Sequence, residues 1–295
     1  MEREPAVAGQ FYPAEKKELK KQIDGFFRSI EKTHDKRVFG IIAPHAGYYY
    51  SGQCAAQAYN SISSLKFDTI IILGTKHSVF GKDIAVSMQD FKTPLGTARN
   101  DVEFSEKLAD MGFGDETAHE YEHSIEVQIP FLQRCLKDPK NSKNSLAKKP
   151  SGFDGFMIVP IVIHADIDEC KKLAKKIVSA ARQLKRKICV IASSDFTHYG
   201  KSYGFTPFSG SDEEIKRDIY AIDKKAIEAI CKMNSEKFSE IAGKTTICGA
   251  SAIVTAIEAC KMLGAKKGSL LKYCTSADMS EDYNTAVGYA SIKFE

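Results

Sequence analysis

Four short, almost unbroken apolar runs limit what this chain can fold into more than any other feature. They are Val38–Ile42, Asp68–Gly74, Phe156–Ile163 and Ile188–Ser193. Each is too short for a helix of ordinary length, and none alternates with polar residues as a half-exposed strand does. They read as strands buried on both faces, the pattern of parallel strands covered by helices. Amphipathic helices are expected between and after them. Glu15–Ile30 places Leu19, Ile23, Phe26 and Phe27 at helical spacing, and Val102–Met111, Asp166–Leu184, Asp212–Cys231, Ser235–Ala242 and Ser251–Leu263 follow, with closing strands at Leu270–Ser276 and Ala286–Phe294. The expected fold is a single α/β domain over residues 1–295, with a largely parallel or mixed central sheet flanked by helices. A chain of 295 residues, 43% apolar, can bury such a core.

The runs matter functionally for what stands at their ends. Pro44 stops strand pairing after Ile41–Ile42, so His45 falls just past the carboxyl end of a strand, with Gly47 to turn the backbone and Ser51 expected to cap the next helix. The second run delivers His77 in the same way. The fourth ends in Ser193-Ser194-Asp195-Phe196-Thr197-His198, which places a carboxylate and an imidazole three residues apart. In open α/β sheets the crevice at this end of the strands is where ligands bind. His164, at the third strand's end, is followed almost at once by a helix and reads as structural. Cys248 lies between a Thr-Thr pair and Gly249 at the expected start of an Ala-rich helix, where the helix dipole is expected to favour thiolate. Cys54, Cys189, Cys231 and Cys260 read as inert core thiols.

His119-Glu120-Tyr121-Glu122-His123 matches the His-Glu-x-x-His zincin pattern. A zincin needs both histidines on one face of a formed helix, with uncharged residues between them. Here Glu122 intervenes, Gly112 and Gly114 precede, and the apolar period starts only at Ile125. His119 is therefore expected before the helix, and His123 and Glu126, at its start, are the better acid/base candidates. Residues 137–155, rich in Lys, Asn, Ser, Pro and Gly, read as a surface excursion. A net charge of +4, spread among acids, argues against a nucleic-acid footprint. With no apolar run near ~20 residues, no signal-peptide core and eight cysteines lacking a Cys-x-x-Cys pair, a cytoplasmic, reduced protein without membrane contact is expected.

Five motifs in order carry a family resemblance: Pro44-His45-Ala46-Gly47-Tyr48, Leu73-Gly74-x-x-His77, Glu122-His123-Ser124-Ile125-Glu126, Ser193-Ser194-Asp195-Phe196-x-His198 and Thr246-Ile247-Cys248-Gly249. The chain resembles, from Ala8 to Ala290, the Memo (mediator of cell motility) family, whose prokaryotic members are also called AmmeMemoRadiSam system protein B. The resemblance implies a fold similar to class III extradiol ring-cleaving dioxygenases, whose non-haem iron is held by two histidines and a carboxylate. It implies metal ligands His45, His77 and, in place of the carboxylate, Cys248. A thiolate suits copper, zinc or ferrous iron, with iron or copper favoured. His198 resembles the dioxygenase acid/base with Asp195 beside it, and Phe11 and Tyr50 resemble cavity-wall aromatics. Partners implied are radical S-adenosylmethionine and AMMECR1-type proteins. Three functions follow as expectations: metal-dependent redox chemistry on an unknown small molecule, non-catalytic capture of a peptide or phospholigand in the same cleft, and zinc hydrolysis through His119, Glu120 and His123.

Overall fold

The computed structural model describes residues 1–31, 35, 37–136 and 155–295. Eleven strands are found among them: β1 (Glu2–Arg3), β2 (Gly40–Ala43), β3 (Thr69–Thr75), β4 (Ile84–Val86), β5 (Asp90–Thr93), β6 (Gly96–Ala98), β7 (Met157–Ile163), β8 (Ile188–Ser193), β9 (His198–Gly200), β10 (Gly268–Thr275) and β11 (Thr285–Phe294). The α-helices are α1 (Lys16–Arg28), α2 (Tyr48–Ile62), α3 (Val102–Leu108), α4 (Ile129–Cys135), α5 (Ile167–Gln183), α6 (Asp212–Cys231), α7 (Ser235–Ala242), α8 (Ala250–Leu263) and α9 (Ala277–Ser280). Apart from Gly155, the excursion expected over 137–155 lies outside the described residues.

The main sheet runs β10-β11-β2-β8-β3-β7-β4. Its middle, β2-β8-β3-β7, is parallel, and the flanking pairs β10-β11, β11-β2 and β4-β7 are antiparallel. The four apolar runs are those four parallel strands, fully buried as their composition requires. Consecutive residues face opposite sides: Ile70 and Ile72 join one core with α1, α2 and α4, while Ile71 and Leu73 join the other with α3, α5 and α8. On the first face Tyr59 stacks on Phe131 with ring centroids 5.1 Å apart. A second, three-stranded sheet, β1-β5-β6, is separate. Among the described residues no helix is long and apolar enough to cross a membrane.

Local expectations are corrected in three places. Ser51 does not cap α2, which starts earlier, at Tyr48 with Gly47 as N-cap; the Ser51 hydroxyl lies inside the helix and donates back to the Ala46 carbonyl at 2.9 Å. The helix expected over Val102–Met111 stops at Leu108 and passes into a wider turn, with Gly112 at φ +96°. His123 and Glu126 do not open an α-helix: a 3-10 turn over Glu126–Gln128 precedes α4, whose Pro130 sits in the first turn, where a missing N–H costs nothing.

Candidate metal centre

His45 follows β2 and His77 follows β3. These strands are not neighbours; β8 lies between them, so Ser193–Asp195, at the end of β8, sits between the two histidines. A third imidazole arrives from a different direction. Gly74, within β3, has no side chain, and a Cβ there would come within 2.6 Å of Ile125 Cγ1 and Ser124 Oγ. That close approach lets the Glu122–Glu126 segment lie across the strand end, bringing His123 onto His77 with rings stacked at 4.6 Å and 20°. The ring centroids of His45 lie 5.2 Å from His77 and 5.5 Å from His123. One ligating atom from each of His45, His77 and His123 lies within 4.8 Å of the other two, a group that could hold a metal ion.

Hydrogen bonds orient two of the three rings. Nδ1 of His77 faces the Glu122 carboxylate at 3.0 Å, and an ionised carboxylate only accepts, so Nδ1 carries a proton and, in the neutral ring, Nε2 keeps the lone pair. The same carboxylate accepts from the His77 and Ser124 backbone N–H groups, both at 2.8 Å. Burial opposes ionisation of Glu122, but these bonds and the His77 charge outweigh it and hold the carboxyl at about 2. Burial also pulls His77 down, yet Glu122 raises its pKa overall. Nδ1 of His45 meets Ser193 Oγ at 3.0 Å. Burial, reinforced by repulsion from His77, lowers the His45 pKa to about 3, and burial with repulsion from His45 lowers His123 to about 4. Neutral imidazoles with free nitrogens are what a metal requires.

Cys248 reaches the same place. Its Sγ is 3.3 Å from His45 Nε2, although it is not one of the mutually close three. Gly249 permits this, since a Cβ there would lie 2.4 Å from the Ser194 Cβ. The expected thiolate is corrected: burial, then the charge of Asp195, push the Cys248 thiol up to about 12. The residue lies two positions before α8, so it is outside the helix turn whose N–H groups would favour an anion.

Asp195 accepts the His45 backbone N–H at 2.8 Å and approaches its Nε2 at 3.9 Å. Burial raises the Asp195 pKa, against the pull of His198 and the His45 amide. His198 Nδ1 lies 2.9 Å from the Phe196 carbonyl and 3.1 Å from that of Thr246, both acceptors only, so Nδ1 carries a proton. Phe11 packs on His123 at 4.8 Å, and Tyr50, in the first turn of α2, is exposed beside Tyr49.

The remaining sequence candidates lie elsewhere. Glu126 is fully buried with its carboxylate accepting from Arg3 (2.9 Å), the Ala6 and Val7 amides (2.7 and 3.0 Å) and the Tyr12 hydroxyl (2.7 Å), which leaves it no free lone pair to aim at a substrate. His119 ends a separate 3-10 turn, donates through Nε2 to the Ala85 carbonyl at 3.0 Å, and does not share a helix with His123, while Glu120 is exposed. The zincin geometry is therefore absent. His164 is exposed, its N–H bonded to the Asp83 carbonyl. Sequence reasoning gave His123 an acid/base place rather than one in the three-histidine group. The usable signal was Gly74, a glycine inside a strand otherwise made of Thr, Ile and Leu, which marks a close backbone approach.

The fold and site together define an α/β protein with a polyhistidine centre at its strand ends, running from a buried His45 to an exposed His77, that could hold a metal. A family model described as Memo-like protein matches residues 3–293, and the chain belongs to that family. It is 36% identical to a MEMO1 family protein of Nitrosopumilus maritimus over 100% of both chains. Further relatives are MEMO1 family proteins of Methanopyrus kandleri, 38% identical over 100% of this chain and 99% of theirs, and of Thermococcus kodakarensis, 39% identical over the same shares.

Proposed function

We propose that the protein is a metal-binding member of the Memo family that performs redox chemistry on a small molecule at a mononuclear centre. Two observations carry this: His45 and His77 each have Nδ1 engaged, and one ring nitrogen from each gathers with one of His123 within 4.8 Å. His45 and His77 are the core ligands, with Cys248 as the third and His123 placed to supply or exchange for it. The donor set of imidazoles with one sulfur fits iron, copper or zinc, and iron or copper would supply electron transfer or oxygen activation. Nε2 of His198 is a proton acceptor, Asp195 anchors the His45 backbone, and Phe11 and Tyr50 wall the opening. Radical S-adenosylmethionine and AMMECR1-type proteins are proposed partners, testable by co-purification from the native source.

Protein purified without oxygen or chelator should contain close to one iron or copper per chain. X-ray absorption at that metal should count two or three nitrogens and one sulfur, and His77→Ala should abolish stoichiometric loading. A parent chain that binds no metal tightly in any oxidation state rejects the reading. Exposed tyrosines at 49, 50, 121 and 203, beside the site segments, favour one alternative: capture of a peptide or phospholigand without turnover. Oxygen consumption or substrate conversion by the loaded protein separates the two.

A further inference from the structure

Behind His45 lies a chain of fully buried polar groups that the proposed ligand set does not include: Ser193, Gln128 and Tyr59. Their donors and acceptors admit one arrangement. Gln128 Nε2 lies 3.0 Å from the Pro44 carbonyl and 2.8 Å from Ser193 Oγ, and its Oε1 lies 2.6 Å from the Tyr59 hydroxyl. A carbonyl can only accept, so the amide nitrogen must face Pro44 and its second N–H points at Ser193. Ser193 Oγ also sits 2.7 Å from the Ser124 carbonyl, which again only accepts, so the single hydroxyl proton goes there. One lone pair of Oγ takes the Gln128 N–H. The other faces His45 Nδ1 at 3.0 Å, and two bare lone pairs in that position would repel.

We infer that Ser193, oriented by Gln128, is a positioning residue that commits His45 to the tautomer with its proton on Nδ1, fixing Nε2 as the ligating atom. The inference rests on the metal reading above for its purpose, though not for its geometry. The network lies among residues brought together by β2, α2, β8 and the turns before α4. A ring held in this way meets the metal without first losing a proton from Nε2 or rotating, which is how an outer hydrogen bond raises ligand affinity.

The test is long-range proton–nitrogen NMR on metal-free protein with labelled histidine, followed by titration with Zn²⁺ and Co²⁺. In the parent, His45 should show a protonated Nδ1 and a bare Nε2. Ser193→Ala should give a mixture of tautomers and weaken Zn²⁺ by roughly 10–100-fold. Ser193→Thr, which keeps the hydroxyl, should restore the parent tautomer, and Tyr59→Phe, which leaves the Gln128 amide to Ser193 intact, should leave it unchanged. A parent His45 protonated on Nε2 overturns the inference even if Ser193→Ala does not fold. So does a folded Ser193→Ala whose His45 remains wholly on the Nδ1 tautomer. A parent with the expected tautomer that takes up neither ion overturns the metal reading and leaves the positioning intact.

Discussion

Cys248 shows how local and surrounding terms compete at a single side chain. Its sequence context suggested a thiolate, but the sulfur stands ahead of α8 rather than in its first turn, and desolvation together with Asp195 favours the neutral thiol. In metal-free protein at neutral pH, Cys248 should therefore alkylate about three orders of magnitude more slowly than an unhindered thiol. Mass spectrometry of a time course with iodoacetamide checks this, and labelling at the rate of a free cysteine would contradict it. The histidines were more legible. His45 and His77 could be read because a strand buried on both faces fixes where its next residue emerges. His123 could not, since its position depends on a segment lying across β3, and Glu126 was misassigned because its partners Arg3, Ala6, Val7 and Tyr12 are more than a hundred residues away.

Among the elements, the four parallel strands were visible in advance because burial on both faces removes nearly all polar residues, leaving Thr69, Thr75 and Ser193 at strand ends. The small strands β1 and β9 were not, as two or three residues carry no periodic signal. Two elements carry predictions. Gly74→Ala would force Ser124 and Ile125 away from β3; overpacking of this kind costs about 1–3 kcal/mol. It should lower the melting temperature and weaken metal binding together, and a variant with unchanged metal affinity would detach His123 from the site. The second concerns α6, whose Asp223 accepts from the Thr197 amide and hydroxyl and from the Tyr273 hydroxyl, tying the approach to β9 to β10. Burial raises this carboxyl to about 6, despite those hydrogen bonds. The folded state thus holds a proton that the unfolded state has lost between roughly pH 4 and 6. The stabilisation is complete below that window and disappears as pH rises through about 6, a change on the order of 3 kcal/mol. Denaturant unfolding of Asp223→Asn should lack this fall, whereas a parent-like pH profile in the variant would assign the effect elsewhere.

Across the whole molecule, the chain's first residues are tied to its middle. Arg3 donates to the Glu126 carboxylate and to the His119 and Glu122 carbonyls, and β1 pairs with β5. Glu126→Ala would leave a buried guanidinium, two amides and a hydroxyl without their acceptor. A loss of about 3–5 kcal/mol is expected, with faster proteolysis within the first twelve residues; unchanged stability would show that water replaces the carboxylate. Strand order has a further consequence, for the time at which the site comes into being. β2 is flanked by β8 and β11, and His198, the first residue of β9, pairs with Val287 of β11. A growing polypeptide has His45 outside the ribosome long before it has the neighbours that aim it. Ser193 arrives after more than a hundred further residues, Cys248 after that, and β11 later still. His45 is therefore held in place only after β8 and β11 have been made, well after the three histidines have all emerged by residue 123.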